Sequence, residues 1–309
     1  MDLGYSNMKM NLSHFFVIFC MYLCIFSPHS LSAAPESFQT RDLEVLYDKN
    51  SLYMAEEVVK MYPDIREELE KSLPWKIDFQ PRILLVKDRH AFIQAAGSDI
   101  FLAYAVPRRY LIVLDASRVY SKPFTLETTL KHELCHLLLH RHIADAGLPR
   151  WLDEGVCQWA SGGISELLAT HGGNALAKAI MADTIMRIKD IETFPKDEAS
   201  LVLAYEQSKN FIEYIAGQYG QDSIVRILNY MREGDTVDES IQKSLSVSLP
   251  ELEHTWHAHL RGKHSWFAYL SSNLYSILFL LGGLITIYGF IRFLKKKREY
   301  VDEEEGDGL

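Results

Sequence analysis

No charged residue falls between Ser265 and Ile291, and this run constrains the chain more than any other feature. As a helix rising about 1.5 Å per residue it covers about 40 Å, more than a bilayer core of about 30 Å, so it can span. A buried core helix is the alternative, but the length and the flanks favour the membrane. Trp266 and Tyr269 suit an interface, and Arg292, Lys295, Lys296, Lys297 and Arg298 come directly after the run. The positive-inside bias then puts the C-terminus in the cytoplasm and residues from about 34 to 264 outside it. The acidic run from Asp302 to Asp307 reads as a solvated, disordered end.

The other end is apolar too. After Lys9 the chain is uncharged, with an apolar run from Phe15 to Phe26 and then the small residues Ser30-Leu31-Ser32-Ala33-Ala34, the order of a secretory signal peptide. An uncleaved anchor is the alternative, and either one exports the domain behind it. Cys20 and Cys24 lack the small residues that precede a lipidated cysteine. The expected organisation is a signal peptide over 1–33, an outer domain over 34–264, a transmembrane helix over 265–294 and a cytoplasmic tail over 295–309. Of the formal charge of −9, residues 1–33 hold one acid and one base, and residues 292–309 six acids and five bases. The outer domain keeps 34 acids against 26 bases, which argues against a nucleic-acid partner.

Within that domain Leu43 to Tyr47 reads as a strand. A helix is expected from about Ser51, because Leu52, Ala55, Val58, Tyr62, Ile65 and Leu69 recur at three- and four-residue spacing; Pro63 is expected to bend it. Arg82 to Lys87 and Tyr110 to Leu114 are short, branched runs that favour strands, and Phe101 to Ala105 suits an edge strand. After Lys122-Pro123 the pattern is helical to residue 264, with Gly147, Gly220 and Gly234 at plausible helix ends. A small sheet with one helix, followed by a helical half, is an α+β fold.

The segment Thr129 to Leu139 carries His132-Glu133-Leu134-Cys135-His136. Residues four apart share a helix face, so both imidazoles can reach one metal while Glu133, turned aside by about 100°, reaches a metal-bound water. A catalytic zinc needs a third protein ligand and an open fourth position. Glu154 meets that need: it lies in Pro149-Arg150-Trp151-Leu152-Asp153-Glu154-Gly155, an acid among large apolar residues, far enough from His136 for a turn and a second packed helix. Histidines and glutamates on an amphipathic helix are often only its solvated face, and the apolar flank together with the later acid tells against that here. His140 and His142 lie near the helix end, where offsetting the dipole suits them better than ligation.

HELCH followed by WLDEG resembles the gluzincin metallopeptidases, in particular the peptidase MA-like group of exported single-domain proteins. The likeness extends to Leu203-Ala204-Tyr205-Glu206-Gln207-Ser208, Phe211, Tyr214, Tyr219-Gly220, and Ser248 to Glu253 with Trp256, so it covers about residues 43 to 264. The resemblance implies a zincin-like catalytic domain with His132, His136 and Glu154 as ligands to Zn2+ and Glu133 as general base. It also implies Tyr205 as an electrophilic helper near the oxyanion, with packing at a helix start as the alternative. Thermolysin-like members carry an aspartate four residues after the glutamate ligand; here that position is Gln158, which leaves the partners of the ligating histidines unassigned.

The expected reaction is hydrolysis of peptide bonds in exported peptides or proteins, with zinc-bound water attacking a polarised carbonyl. No GxMEN-like motif precedes the helix, which leans toward endopeptidase action. Two other readings stay open: a non-catalytic envelope interaction domain with a structural metal, and a zinc amidase acting on a cell-wall peptide. Cys135 and Cys157 are read as two buried thiols acting as small hydrophobes, with a disulfide as the alternative in an oxidising compartment. Oligomeric state stays open.

Overall fold

A computed structural model describes residues 35–120, 125–144, 147–162, 174–263 and 273–306. The expected signal segment, with Cys20 and Cys24, and the interfacial Trp266 and Tyr269 lie outside the described residues. The chain divides into two compact units, Met1–Leu176 with Met186–Leu249, and Ala177–Ile185 with Pro250–Leu309.

In the first unit five strands form one sheet: Glu36–Gln39 (β1), Glu44–Tyr47 (β2), Arg82–Val86 (β3), Ala103–Val106 (β4) and Leu111–Asp115 (β5). Their order is β1-β2-β3-β5-β4, with β2, β3 and β5 parallel and the outer strands antiparallel to their neighbours. Alternation sets the buried face, so Ile83 and Leu85 of β3 are core while Leu84 is half-buried. The edge strand expected at Phe101 to Ala105 is β4, at the sheet edge. Two elements lay outside the sequence expectations: β1, and the helix Arg89–Ala96 (α2), which is capped by Asp88 accepting from His90 N and Ala91 N.

Helix Leu52–Ser72 (α1) buries Met54, Ala55, Val58, Tyr62, Ile65 and Leu69. Leu52 falls off this stripe and is exposed, with Met54 taking its part; the helix continues through Pro63. The helical half comprises Leu126–His142 (α3), Arg150–Ser161 (α4), Ala175–Ala182 (α5), Glu198–Tyr219 (α6), Asp222–Arg232 (α7) and Val237–Leu245 (α8). Gly220, at φ 83°, ends α6, and Gly234, at φ 102°, comes just after α7, as left-handed backbone favours glycine. Gly147 is not a cap, because α3 already closes at Ile143. A single α4 residue without a side chain lets α4 and α6 meet closely: a Cβ on Gly155 would lie 2.6 Å from the Ser208 carbonyl oxygen. Trp151 and Phe211 pack edge to face beside that contact, with centroids 5.4 Å apart.

In the second unit Arg261, on helix Leu249–Lys263 (α9), pairs with Asp183 at 2.7 Å. Helix Leu274–Gly306 (α10) carries Leu274–Phe293, a span long and apolar enough to cross a membrane. The helix runs on to Gly306, which corrects the expectation of a disordered acidic tail over 302–306. Lys, Arg and Glu are good helix formers, and extending an existing helix avoids the cost of a new nucleus.

Candidate metal centre

Three elements deliver the site. Thr125 caps α3 by accepting from Thr128 N, and the helix then presents His132, Glu133 and His136 to its interior side. Pro149 precedes α4, where its missing N–H costs nothing, and the first turns of that helix carry Arg150, Asp153 and Glu154. Tyr205 comes from α6, over the close crossing that Gly155 permits. The structure thus brings together all five residues singled out in the sequence: His132, Glu133, His136, Glu154 and Tyr205.

The Nε2 atoms of His132 and His136 lie 3.1 Å apart, and Glu154 Oε2 lies 3.5 Å from the first and 3.6 Å from the second. Tetrahedral bonds of about 2.0–2.1 Å place donor atoms about 3.4 Å apart. The triangle therefore fits a zinc ion, and the donor set of two imidazoles and one carboxylate is that of a catalytic site. Glu154 Oε2 is buried and has no hydrogen-bond partner among the described residues, the state of an atom suited to a cation.

The other carboxylate oxygen is held. Glu154 Oε1 accepts from Arg150 Nη2 at 2.6 Å and from the Tyr205 hydroxyl at 3.2 Å. Burial opposes the charge on Glu154, but Arg150 and His136 outweigh it and hold the carboxyl well below the usual range. Glu133 is buried, and burial raises its pKa against the pull of His132 and His136.

The histidine partner missing from the sequence reading is Asp153. Its Oδ1 accepts from His136 Nδ1 at 2.7 Å and its Oδ2 from His140 Nε2 at 3.1 Å. A proton fixed on His136 Nδ1 leaves Nε2 free as a donor. Burial opposes the Asp153 charge, and His136 with His140 more than compensates, so its pKa is depressed. The available signal was an acid directly before the ligand glutamate within WLDEG. Gln158 serves packing instead, its amide donating to the Tyr205 carbonyl at 3.3 Å. His140 lies in the last turn of α3, as expected, but turns its ring to Asp153. His142 stacks on Trp75.

The two cysteines are joined. Cys135 and Cys157 form a disulfide with Cα atoms 5.4 Å apart, correcting the reading of two thiols. The crossing of α3 and α4 that brings His132, His136 and Glu154 together also leaves the two buried sulfurs facing each other.

A cavity of about 360 Å3 opens over these groups, lined also by Phe101, Ala103 and Ala105 of the edge-strand segment, by Ala95 and Ala96 of α2, and by Thr128. Residues 124–262 match the Peptidase MA superfamily. The matching segment, a little under half of the chain, contains His132, Glu133, His136, Arg150, Asp153, Glu154 and Tyr205 but not the cavity-lining residues of α2 and the edge strand. The likeness seen in HELCH and WLDEG thus falls on a peptidase superfamily.

Solved structures are similar at low identity. An M1 zinc metallopeptidase from Deinococcus radiodurans has 14% identity over 72% of this chain and 50% of its own, with TM-score 0.41. A single-substitution mutant of an M1 zinc metallopeptidase from the same organism has 13% identity over 72% and 51%, with TM-score 0.42. A two-domain M1 zinc metallopeptidase mutant bound to L-tryptophan has 14% identity over 73% and 52%, with TM-score 0.45. The chain spans about half the length of these structures. No curated protein matches it.

Proposed function

We propose that this chain is a membrane-anchored zinc peptidase in which His132, His136 and Glu154 hold the metal and Glu133 is the general base. The donor triangle of 3.1, 3.5 and 3.6 Å carries the reading, because solvated helix faces do not converge three donors around one buried point. A zinc ion bound there supplies a Lewis acid that polarises a carbonyl and acidifies water.

The chain's own groups do the rest. Glu133 takes the proton of the attacking water and returns it to the leaving amine. Asp153 keeps the proton of His136 on Nδ1. Tyr205 lines the cavity, and its hydroxyl, once turned from Glu154 Oε1, is the donor for an oxyanion at the scissile carbonyl. An extended peptide can lie along β4, the sheet's edge strand, by strand addition. Residues 34–264 form the outer domain, and the helix over 265–294 anchors it with the C-terminus in the cytoplasm. The apolar span of α10 and the basic residues after it support that arrangement.

The test uses the full chain in detergent, with metal content and turnover of a mixed peptide library measured for wild type and Glu133→Gln. Turnover should fall by about 10²–10⁴ while zinc content is unchanged. Equal turnover by both forms would show that this site is not the catalyst.

A further inference from the structure

Arg150 has no part in the proposed chemistry, yet its guanidinium touches a metal ligand directly. It stands one helical turn before Glu154 on α4, and its Nη2 lies 2.6 Å from Glu154 Oε1, while Nη1 reaches Asp153 Oδ2 at 3.5 Å. Phe194 lies under the guanidinium at 5.9 Å from its ring centroid. The Arg150 backbone N–H donates to the Glu192 carbonyl at 2.9 Å. Arg150 is thus held by Phe194 at its guanidinium and by Glu192 at its backbone. The Tyr205 hydroxyl adds a second donor to the same Oε1 at 3.2 Å.

The two oxygens of Glu154 are therefore unlike. Among the described residues Oε1 has two donors, and Oε2 has none and faces both imidazoles. A guanidinium beside a metal ligand would be a poor choice if charge alone mattered, because it repels a dication. Its use lies in geometry. A carboxylate free to turn can offer both oxygens to one ion, which raises the coordination number and favours larger, oxygen-seeking ions over zinc.

Resting on the zinc reading of the site, we infer that Arg150 is a positioning residue that holds Glu154 as a one-oxygen ligand and so favours zinc over manganese. The ratio of the two affinities isolates this role. Repulsion by the guanidinium acts equally on both dications and cancels in the ratio, and so does any general loss of stability. The restriction to one oxygen does not cancel.

The experiment measures the dissociation constants of Zn2+ and Mn2+ by chelator competition on the full chain in detergent, for wild type, Arg150→Gln, Arg150→Lys and Tyr205→Phe. In Arg150→Gln zinc affinity should fall by up to about 10–100-fold, the usual effect of losing a partner of a metal ligand, and manganese affinity by less, so that the preference for zinc drops. Lysine keeps one donor to Oε1 and should restore part of the preference. Tyr205→Phe should lower the preference in the same direction by less, which keeps the inference testable if the glutamine variant does not fold. A Zn2+/Mn2+ ratio within twofold of wild type in every folded variant would overturn the role of Arg150 and leave the zinc site standing. Wild-type protein that binds neither ion would overturn both.

Discussion

Replacing Gly155 by alanine should damage both fold and site, because the glycine lies where α4 carries Glu154 over α6. The added Cβ would sit 2.6 Å from the Ser208 carbonyl oxygen and 2.7 Å from Ile212 Cγ1. Ile212 can give by rotating, whereas the carbonyl belongs to helix backbone and cannot. Ordinary contact begins at 3.4 Å, so α4 must retreat by about 0.8 Å, a displacement of the size that overpacked cores absorb at about 1–3 kcal/mol. A contact against backbone belongs at the upper end. The better helix propensity of alanine returns about 1 kcal/mol, leaving roughly 2 kcal/mol of destabilisation, or a Tm lower by about 4–8 °C. A shift of that size exceeds the roughly 0.5 Å tolerance of a catalytic constellation. Peptide turnover should therefore fall by up to about 10²-fold in protein that remains folded. Thermal unfolding and turnover of the purified full chain, zinc-loaded, check both effects. Wild-type Tm together with wild-type turnover in Gly155→Ala would refute the claim that this crossing sets the position of Glu154.

Asp153→Asn removes the charge and one of the two acceptor oxygens that fix His136 and His140, and zinc affinity by chelator competition should drop by about 10–100-fold. In metal-free protein burial opposes charging of His136, but Asp153 and Glu154 hold its pKa well above the ordinary value; that stabilisation is complete below about pH 6.5 and is lost as pH rises through the folded-state pKa. The Tm of chelator-treated protein should accordingly fall as pH rises above about 6.5, and much less so in Asp153→Asn. Asp153 itself has a depressed pKa, so its contribution is present above about pH 4 and disappears on acidification, which an acid unfolding series will register. The Cys135–Cys157 bridge closes a loop of sequence separation 22, worth about 3 kcal/mol by chain entropy, so the double alanine variant should unfold several degrees earlier in non-reducing buffer, with no further loss on adding reductant.

What the sequence made legible was whatever depends on period alone. His132 and His136 share a helix face by their spacing, the strands β3 and β5 alternate or are apolar throughout, and the uncharged run ends in a basic cluster. Each of these needs only the geometry of one element. The partner of His136 needed two. Asp153 and Glu154 are neighbours in sequence and point about 100° apart around α4, so only one of them could be read as facing the metal, and which acid backs a histidine depends on how α4 crosses α3. The family pattern looked for that acid four residues after Glu154, on the same face one turn later, where this chain has Gln158 turned to the Tyr205 carbonyl. Arg150 escaped notice for the converse reason: a cation one turn before an acid on a helix is ordinarily a solvated pair worth a few tenths of a kcal/mol.

Burial changes the weight of that pair. Around Glu154 water has been replaced by Tyr205, two imidazoles and the α6 crossing, so Arg150 decides which oxygen of the carboxylate is occupied instead of merely screening its charge. The disulfide acts on the same two helices right beside the site: Cys135 directly precedes His136, Cys157 comes three residues after Glu154, and the Cys157 sulfur lies within 4.8 Å of ring and carboxylate atoms of His136 and Asp153. Since α3 and α4 are joined through the sulfurs and through Asp153, and with zinc bound as proposed would be joined through the donor triangle too, loosening one link strains the others. Losses from Asp153→Asn and from the double cysteine variant should on this reasoning exceed their sum when combined, by about 0.5–3 kcal/mol in a double-mutant cycle on unfolding. Strict additivity within about 0.3–0.5 kcal/mol would mean that the links act independently and that the metal triangle alone holds the helices in register.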